Sequence, residues 1–208
     1  MKKIGILFGQ EHSFPPAFVD RVNQKSGGKD IVAEFVRIDK VIQGEPCGYD
    51  VVIDRISQDV PFYRAWLKNA ALSGTAVVNN PFWWSADEKF FNNALATKIG
   101  VAVPRTVLLP SHQPPPDTND NSFRNLGYDL NTVEFAIRDG VPVAIDFCNP
   151  APDAEVASVG QGNFEWVVEA VSEMAIRKAR EHVPGRDNLS WGKYLQAAVT
   201  KRSLSDLA

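Results

Sequence analysis

The stretch from Asn131 to Asp153 constrains this chain most. Two runs of alternating apolar residues, Val133-Phe135-Ile137 and Val143-Ile145-Phe147, flank an Asp139-Gly140 turn signal, which reads as a β-hairpin. Side chains on a strand alternate with a period of two, so a one-residue slip would send half of these residues into water; the two apolar sets are expected to share one face. A two-residue loop would pair Arg138 with Val141 and break that match. A three-residue loop, Arg138-Asp139-Gly140, with Gly140 in the left-handed position of a bulge, preserves it. In that register Glu134 and Asp146 project from the other face as diagonal cross-strand neighbours, roughly 7–8 Å apart at Cα. Two carboxylates on one face, followed by Asn149 where the second strand ends, form an all-oxygen set suited to Mg2+. Taken alone, the pattern favours the plainer reading, a half-buried hairpin with a solvated polar face.

A chain of 208 residues can form one large domain or two small ones and can bury a core. With 44% apolar and 23% charged residues and a net charge of −3, it has an ordinary globular composition. No run of Lys or Arg makes a basic patch, so no nucleic-acid partner is expected. The two cysteines, Cys47 and Cys148, lie far apart and lack metal-ligand spacing, as reduced cytoplasmic thiols would. The apolar run Ile4–Phe8 is too short for a secretory leader, and Gln10, Glu11 and His12 interrupt it. No segment reaches the length of a membrane helix. The expectation is a soluble, cytoplasmic protein with no membrane partner.

Taken in order, Lys3–Phe8 reads as a buried first strand, and Pro15-Pro16 open a helix that Ser26-Gly27-Gly28 stop. Ile31–Ile38 and Tyr49–Arg55 read as the second and third strands. A helix from Pro61 to Ser73 follows, closed by Gly74, and Ala76–Asn80 reads as a fourth strand. This alternation predicts an α/β fold with a mostly parallel, doubly wound sheet. Ser85-Ala86-Asp87-Glu88 is a capping box for a helix ending at Gly100. Residues 109–126 are polar and proline-rich and read as a linker between domains at 1–108 and 127–208. After the hairpin, Asn163 is placed to cap a long helix to about Glu181, with Phe164, Val167, Val168, Val171, Met174 and Ala175 as its apolar stripe. Trp191, Tyr194, Leu195 and Val199 suggest a final short helix.

The familiar catalytic motifs are absent: no Gly-x-Ser-x-Gly elbow, no Gly-x-Gly-x-x-Gly and no Gly-Lys-Ser/Thr phosphate loop. His12, His112 and His182 stand apart from any partner at ligand spacing. Arg55, at the end of a parallel strand, lies where open α/β sheets place ligands and is the candidate substrate-binding residue. A salt-bridged arginine fits the same position equally well.

With these residues in view, the chain resembles the ATP-grasp superfamily, the carboxylate–amine ligases that include glutathione synthetase and the D-alanine–D-alanine ligases. One block runs through Val77-Val78-Asn79-Asn80-Pro81, Asp87-Glu88-Lys89-Phe90 and Gly100-Val101-Ala102-Val103-Pro104-Arg105-Thr106. It looks like a preATP-grasp domain and its exit into the ATP-binding region. The other block is the hairpin, which is similar to the end of the grasp domain where two acids and an asparagine hold Mg2+ against nucleotide phosphates. The resemblance implies Glu134 and Asp146 as the acidic ligands and Asn149 as the asparagine. The spacing Asp146-Phe147-Cys148-Asn149 is one residue longer than the commoner acid-x-Asn, so a bulge or turn must re-aim Asn149.

Between the two blocks such ligases carry a Gly-rich loop, two lysines that clamp the triphosphate and a segment that holds adenine. Here only the polar linker separates Thr106 from Asn131, as if two family segments were abutted by an internal deletion. The resemblance therefore implies ATP- and Mg2+-dependent carboxylate–amine ligation as the parental chemistry, in a shortened chain that is not catalytically competent alone. A small-molecule carboxylate or a nucleotide is the implied ligand. The alternative is a non-catalytic binding or assembly module that forms a homo-oligomer through the exposed hairpin or sheet surface.

Overall fold

The computed structural model describes residues 1–82, 89–104, 129–130, 132–147, 151–186 and 188. The chain forms two compact units, Met1–Phe82 with Asp153–Ser190, and Trp83–Pro152 with Trp191–Ala208.

The first unit is built on four parallel strands, β1 (Lys2–Leu7), β2 (Ile31–Phe35), β3 (Val51–Asp54) and β4 (Ala76–Val78), in the order β2-β1-β3-β4. The strands are short apolar runs because both faces are covered. Ile4, Ile6, Val51, Val52, Ile53, Ala76 and Val77 are all inaccessible to solvent. Helix α2 (Pro61–Leu72) supplies Trp66, Leu67 and Ala71 to the face that carries Leu7, Val52 and Val77. Helices α1 (Phe14–Ser26) and α5 (Gln161–Glu181) pack on each other, α1 against β2 and α5 against β1 and β3. Each large apolar side chain buried this way contributes about 1.5–3 kcal/mol. Gly5 is required by the close packing of the irregular segment after β2: a Cβ there would lie 2.5 Å from a methyl of Val36 and 3.0 Å from the Tyr49 ring.

Along the α1–α5 seam, charges spaced four residues apart interlock. Arg21 pairs with Glu165 and Glu169, and Lys25 with Glu169 and Glu173. At the β4 edge, the side-chain amide of Asn188 accepts from the Val77 N–H (2.6 Å) and donates to the Val77 carbonyl (2.8 Å). One side chain thus does for Val77 what a neighbouring strand residue would, and quiets an edge open to association.

The long helix belongs to this first unit, whereas the sequence pattern grouped it with the hairpin. Its apolar stripe (Phe164, Val168, Val171, Ala175, Ile176, Ala179) is buried against the first sheet and α1 rather than against a domain of its own. Asn163 is not its cap. The helix starts at Gln161, behind Gly160 and the single-turn helix α4 (Val156–Val159), and Asn163 lies within it, donating back to the Val159 carbonyl. The second strand ends at Phe35, and Val36, Ile38 and Val41 pack as loop residues on the α2 face.

The second unit contains helix α3 (Lys89–Ile99) and the antiparallel pair β5 (Val133–Arg138) and β6 (Val141–Phe147). The proposed capping box at 85–88, the linker at 109–126 and the final helix around Trp191 lie outside the described residues. The hairpin is where the sequence placed it, but its loop is not the expected one. Arg138 pairs with Val141, so the loop has two residues, Asp139 (φ 53°) and Gly140 (φ 77°), both left-handed. Two positive φ values match the strand twist, which is why this turn wins over side-chain pairing. The register then shifts between Glu134 and Phe135: Phe135 faces Ala144, while Glu134 faces Asp146 and Val133 faces Phe147. On the β5 side of the tip, Ala136–Gly140 are exposed, Ile137 at 76%, so burial of these residues does not resist this arrangement.

Candidate functional site

The strand order β2-β1-β3-β4 sends the chain to opposite sides after β1 and after β3, so the crevice at their carboxyl ends is the switch point where such sheets bind ligands. Two loops border it, Phe8–Ser13 after β1 and Arg55–Val60 after β3. They are joined by a buried ion pair. The Arg55 guanidinium, its side chain 1% exposed, donates from Nε to Glu11 Oε2 (3.0 Å) and from Nη2 to Glu11 Oε1. Its carbon also lies 5.0 Å from the centre of the Phe14 ring, a cation–π arrangement. Arg55 is thus where the sequence placed it, with its fork engaged by Glu11.

Beside the pair, Asp54 accepts from the N–H groups of Ile56 (3.1 Å) and Ser57 (2.9 Å) and from the Ser57 hydroxyl. Burial pushes its carboxyl above the ordinary range, against the opposing pull of these bonds and of Arg55.

A second carboxylate closes the start of α1. Ser13 occupies the N-cap position, but Pro15 and Pro16 follow at the positions whose N–H groups a capping serine would take, and proline has none. The amides of His12 (2.9 Å), Ser13 (3.0 Å) and Phe14 (3.4 Å), with the Ser13 hydroxyl (2.8 Å), donate instead to Glu155, which reaches in from the loop before α4. The Ser13 oxygen in turn accepts from the Val156 N–H (3.1 Å). Burial alone would raise the Glu155 pKa, but the bonds from Ser13, Phe14 and His12 outweigh it and hold this carboxylate below its usual value.

In the second unit, Glu134 and Asp146 are directly opposed Cα partners, not the diagonal pair expected from a three-residue loop. The two-residue turn and the register shift at Glu134/Phe135 bring the two acidic positions face to face across the ladder. Asn149 lies outside the described residues. Among the described residues no three His, Cys, Asp or Glu side chains gather as a metal cluster. The same unit has an open groove of about 530 Å³ along α3 from Phe90 to Thr97 and along Gly100–Pro104. Among the described residues, those that line it carry no charge.

Sequence reasoning missed Glu11 and Glu155. Pro15-Pro16 did signal that the α1 amides need an acceptor from elsewhere, but Glu155 lies 142 residues from Ser13, and nothing local names it. Among the described residues no helix is long and apolar enough to cross a membrane. Comparison with known proteins gives no match to a family model, a curated protein or a solved structure.

Proposed function

We propose that this chain descends from the ATP-grasp carboxylate–amine ligases, keeps a preATP-grasp-like first unit and a Mg2+-type hairpin, and is not a competent ligase alone. The observation that carries this reading is the register at Glu134 and Asp146. Like charges directly opposed across an antiparallel pair destabilise it. A divalent cation relieves that repulsion, and two carboxylates are hard oxygen donors of the kind Mg2+ takes. Glu134 and Asp146 would hold the ion, with Asn149 as the third ligand implied by the resemblance, and the ion would neutralise phosphate charge. The residues that would hold ATP do not fit. The sequence between Thr106 and Asn131 has no Gly-rich loop and no lysine, and the described residues that line the α3 groove carry no charge. Losing several charge-assisted contacts, at about 1.5–3 kcal/mol each, removes nucleotide affinity by orders of magnitude.

Calorimetric titration of Mg2+ into the wild type and Glu134→Ala, with and without ATP, tests the metal half of this reading. Wild type is expected to bind Mg2+, and the variant to lose at least the roughly 10–100-fold that removal of even an outer-shell partner costs. Once the Mg2+ taken up by ATP itself is subtracted from a protein-free titration, added ATP is expected to change neither curve. Equal titrations for the two proteins would remove the metal site.

A further inference from the structure

The bonds around Glu155 join two parts of the first unit that are far apart in sequence, the start of α1 and the segment where the chain re-enters this unit at Asp153. That segment has little else to hold it. Helix α4 is four residues long and buries none of them, and only Ala154 before it is fully enclosed. Few buried apolar contacts and many polar ones mark a region that opens locally while the core stays folded.

We propose that Glu155 is a carboxylate latch: ionised, it fastens residues 153–160 to the β1–α1 loop at the switch point, and protonated, it lets that segment open while the sheet remains intact. A neutral carboxyl has a proton of its own to place and is a weaker acceptor for the four donors, so the cradle favours the charged form. The other charged or titratable groups here are His12, the Glu11–Arg55 pair and Asp153, whose carboxylate accepts from the Glu155 N–H (2.9 Å). The sign follows from the bonding. A carboxylate whose folded pKa is depressed contributes stability that is complete above its unfolded value and is lost as pH falls through the folded one. The latch is therefore closed at neutral pH and opens on the acid side of the ordinary glutamate range. This inference stands apart from the metal hairpin.

Hydrogen-exchange protection factors of the His12, Ser13, Phe14 and Val156 amides, measured from neutral pH downwards, test it. In the wild type these four are expected to lose protection together below pH 4.5, the usual value for the group, while β1 and β3 amides keep theirs. Glu155→Gln should lower the four by about tenfold or more already at neutral pH and abolish the acid step. Ser13→Ala removes one donor to Glu155 and the acceptor of the Val156 N–H, so its readout is the His12, Ser13 and Phe14 amides, whose step should move to higher pH. An acid step unchanged in Glu155→Gln, unmoved in Ser13→Ala, or centred near 6.5, where histidine titrates, would overturn the proposal.

Discussion

Glu11→Ala is expected to lower the free energy of unfolding by about 3–5 kcal/mol, measured as a shifted midpoint in chemical denaturation. The size comes from what is left behind. The Arg55 side chain is 1% exposed and cannot reach water, so removing Glu11 strips a buried cation of the carboxylate that engages its Nε and Nη2. The pair need not be strongly favourable for this to hold, because most of the loss is the desolvation of the survivor. Replacing both partners separates the two effects: Glu11→Leu with Arg55→Met should be less destabilised than Glu11→Ala alone. A double variant that is worse than the single would mean that attraction, not desolvation, dominates at this crevice.

Phe14→Ala is expected to cost a similar amount, about 3–5 kcal/mol by the same measurement. The ring is fully buried, lies 6.1 Å from that of Phe18, and presents its face to the Arg55 guanidinium at 5.0 Å. Most of the loss is transfer and cavity energy, and about 1–2 kcal/mol belongs to the lost cation–π contact. Phe14→Leu keeps much of the volume and should lose chiefly that smaller share. Glu11→Ala and Phe14→Ala touch the same guanidinium, so their effects should not add. Trp166, 70% exposed on α5, is the control, and Trp166→Ala should stay within about 0.5 kcal/mol.

The architecture of the first unit was legible because its strands are short apolar runs between glycine and proline punctuation. Phe14–Ser26, Pro61–Leu72 and Ala76–Val78 lie within a residue or two of where turn chemistry puts them. The pattern lost the partner of the long helix. An amphipathic stripe says that a face is buried but not against what, and here the neighbours are α1 and β1, more than a hundred residues earlier. It also lost the hairpin register. Alternation fixes register where a face is buried; at Ala136–Arg138 the strand is exposed, so the preference of Asp139-Gly140 for a two-residue turn decided, and the shift at Glu134/Phe135 set Val133 opposite Phe147 rather than the expected Ile145.

The site was legible in part for the same reason. Arg55 could be placed at the carboxyl edge from strand order alone, but its partner Glu11 sits on a different loop 44 residues away. The positions of Glu134 and Asp146 relative to each other followed from a turn that side-chain pattern argued against. The two positions are directly opposed Cα partners. They do not replace the missing nucleotide clamp.

Release of inorganic phosphate from Mg-ATP, followed with the purified chain and a mixture of amino acids as carboxylate and amine donors, shows whether the chain works as a ligase alone. A chain without the nucleotide clamp should release phosphate no faster than buffer alone, and Glu134→Ala should leave that rate unchanged. Sustained phosphate release by the wild type that is lost in Glu134→Ala would contradict this expectation, and would mean that the chain holds and turns over ATP without the lysines and loop on which such ligases rely.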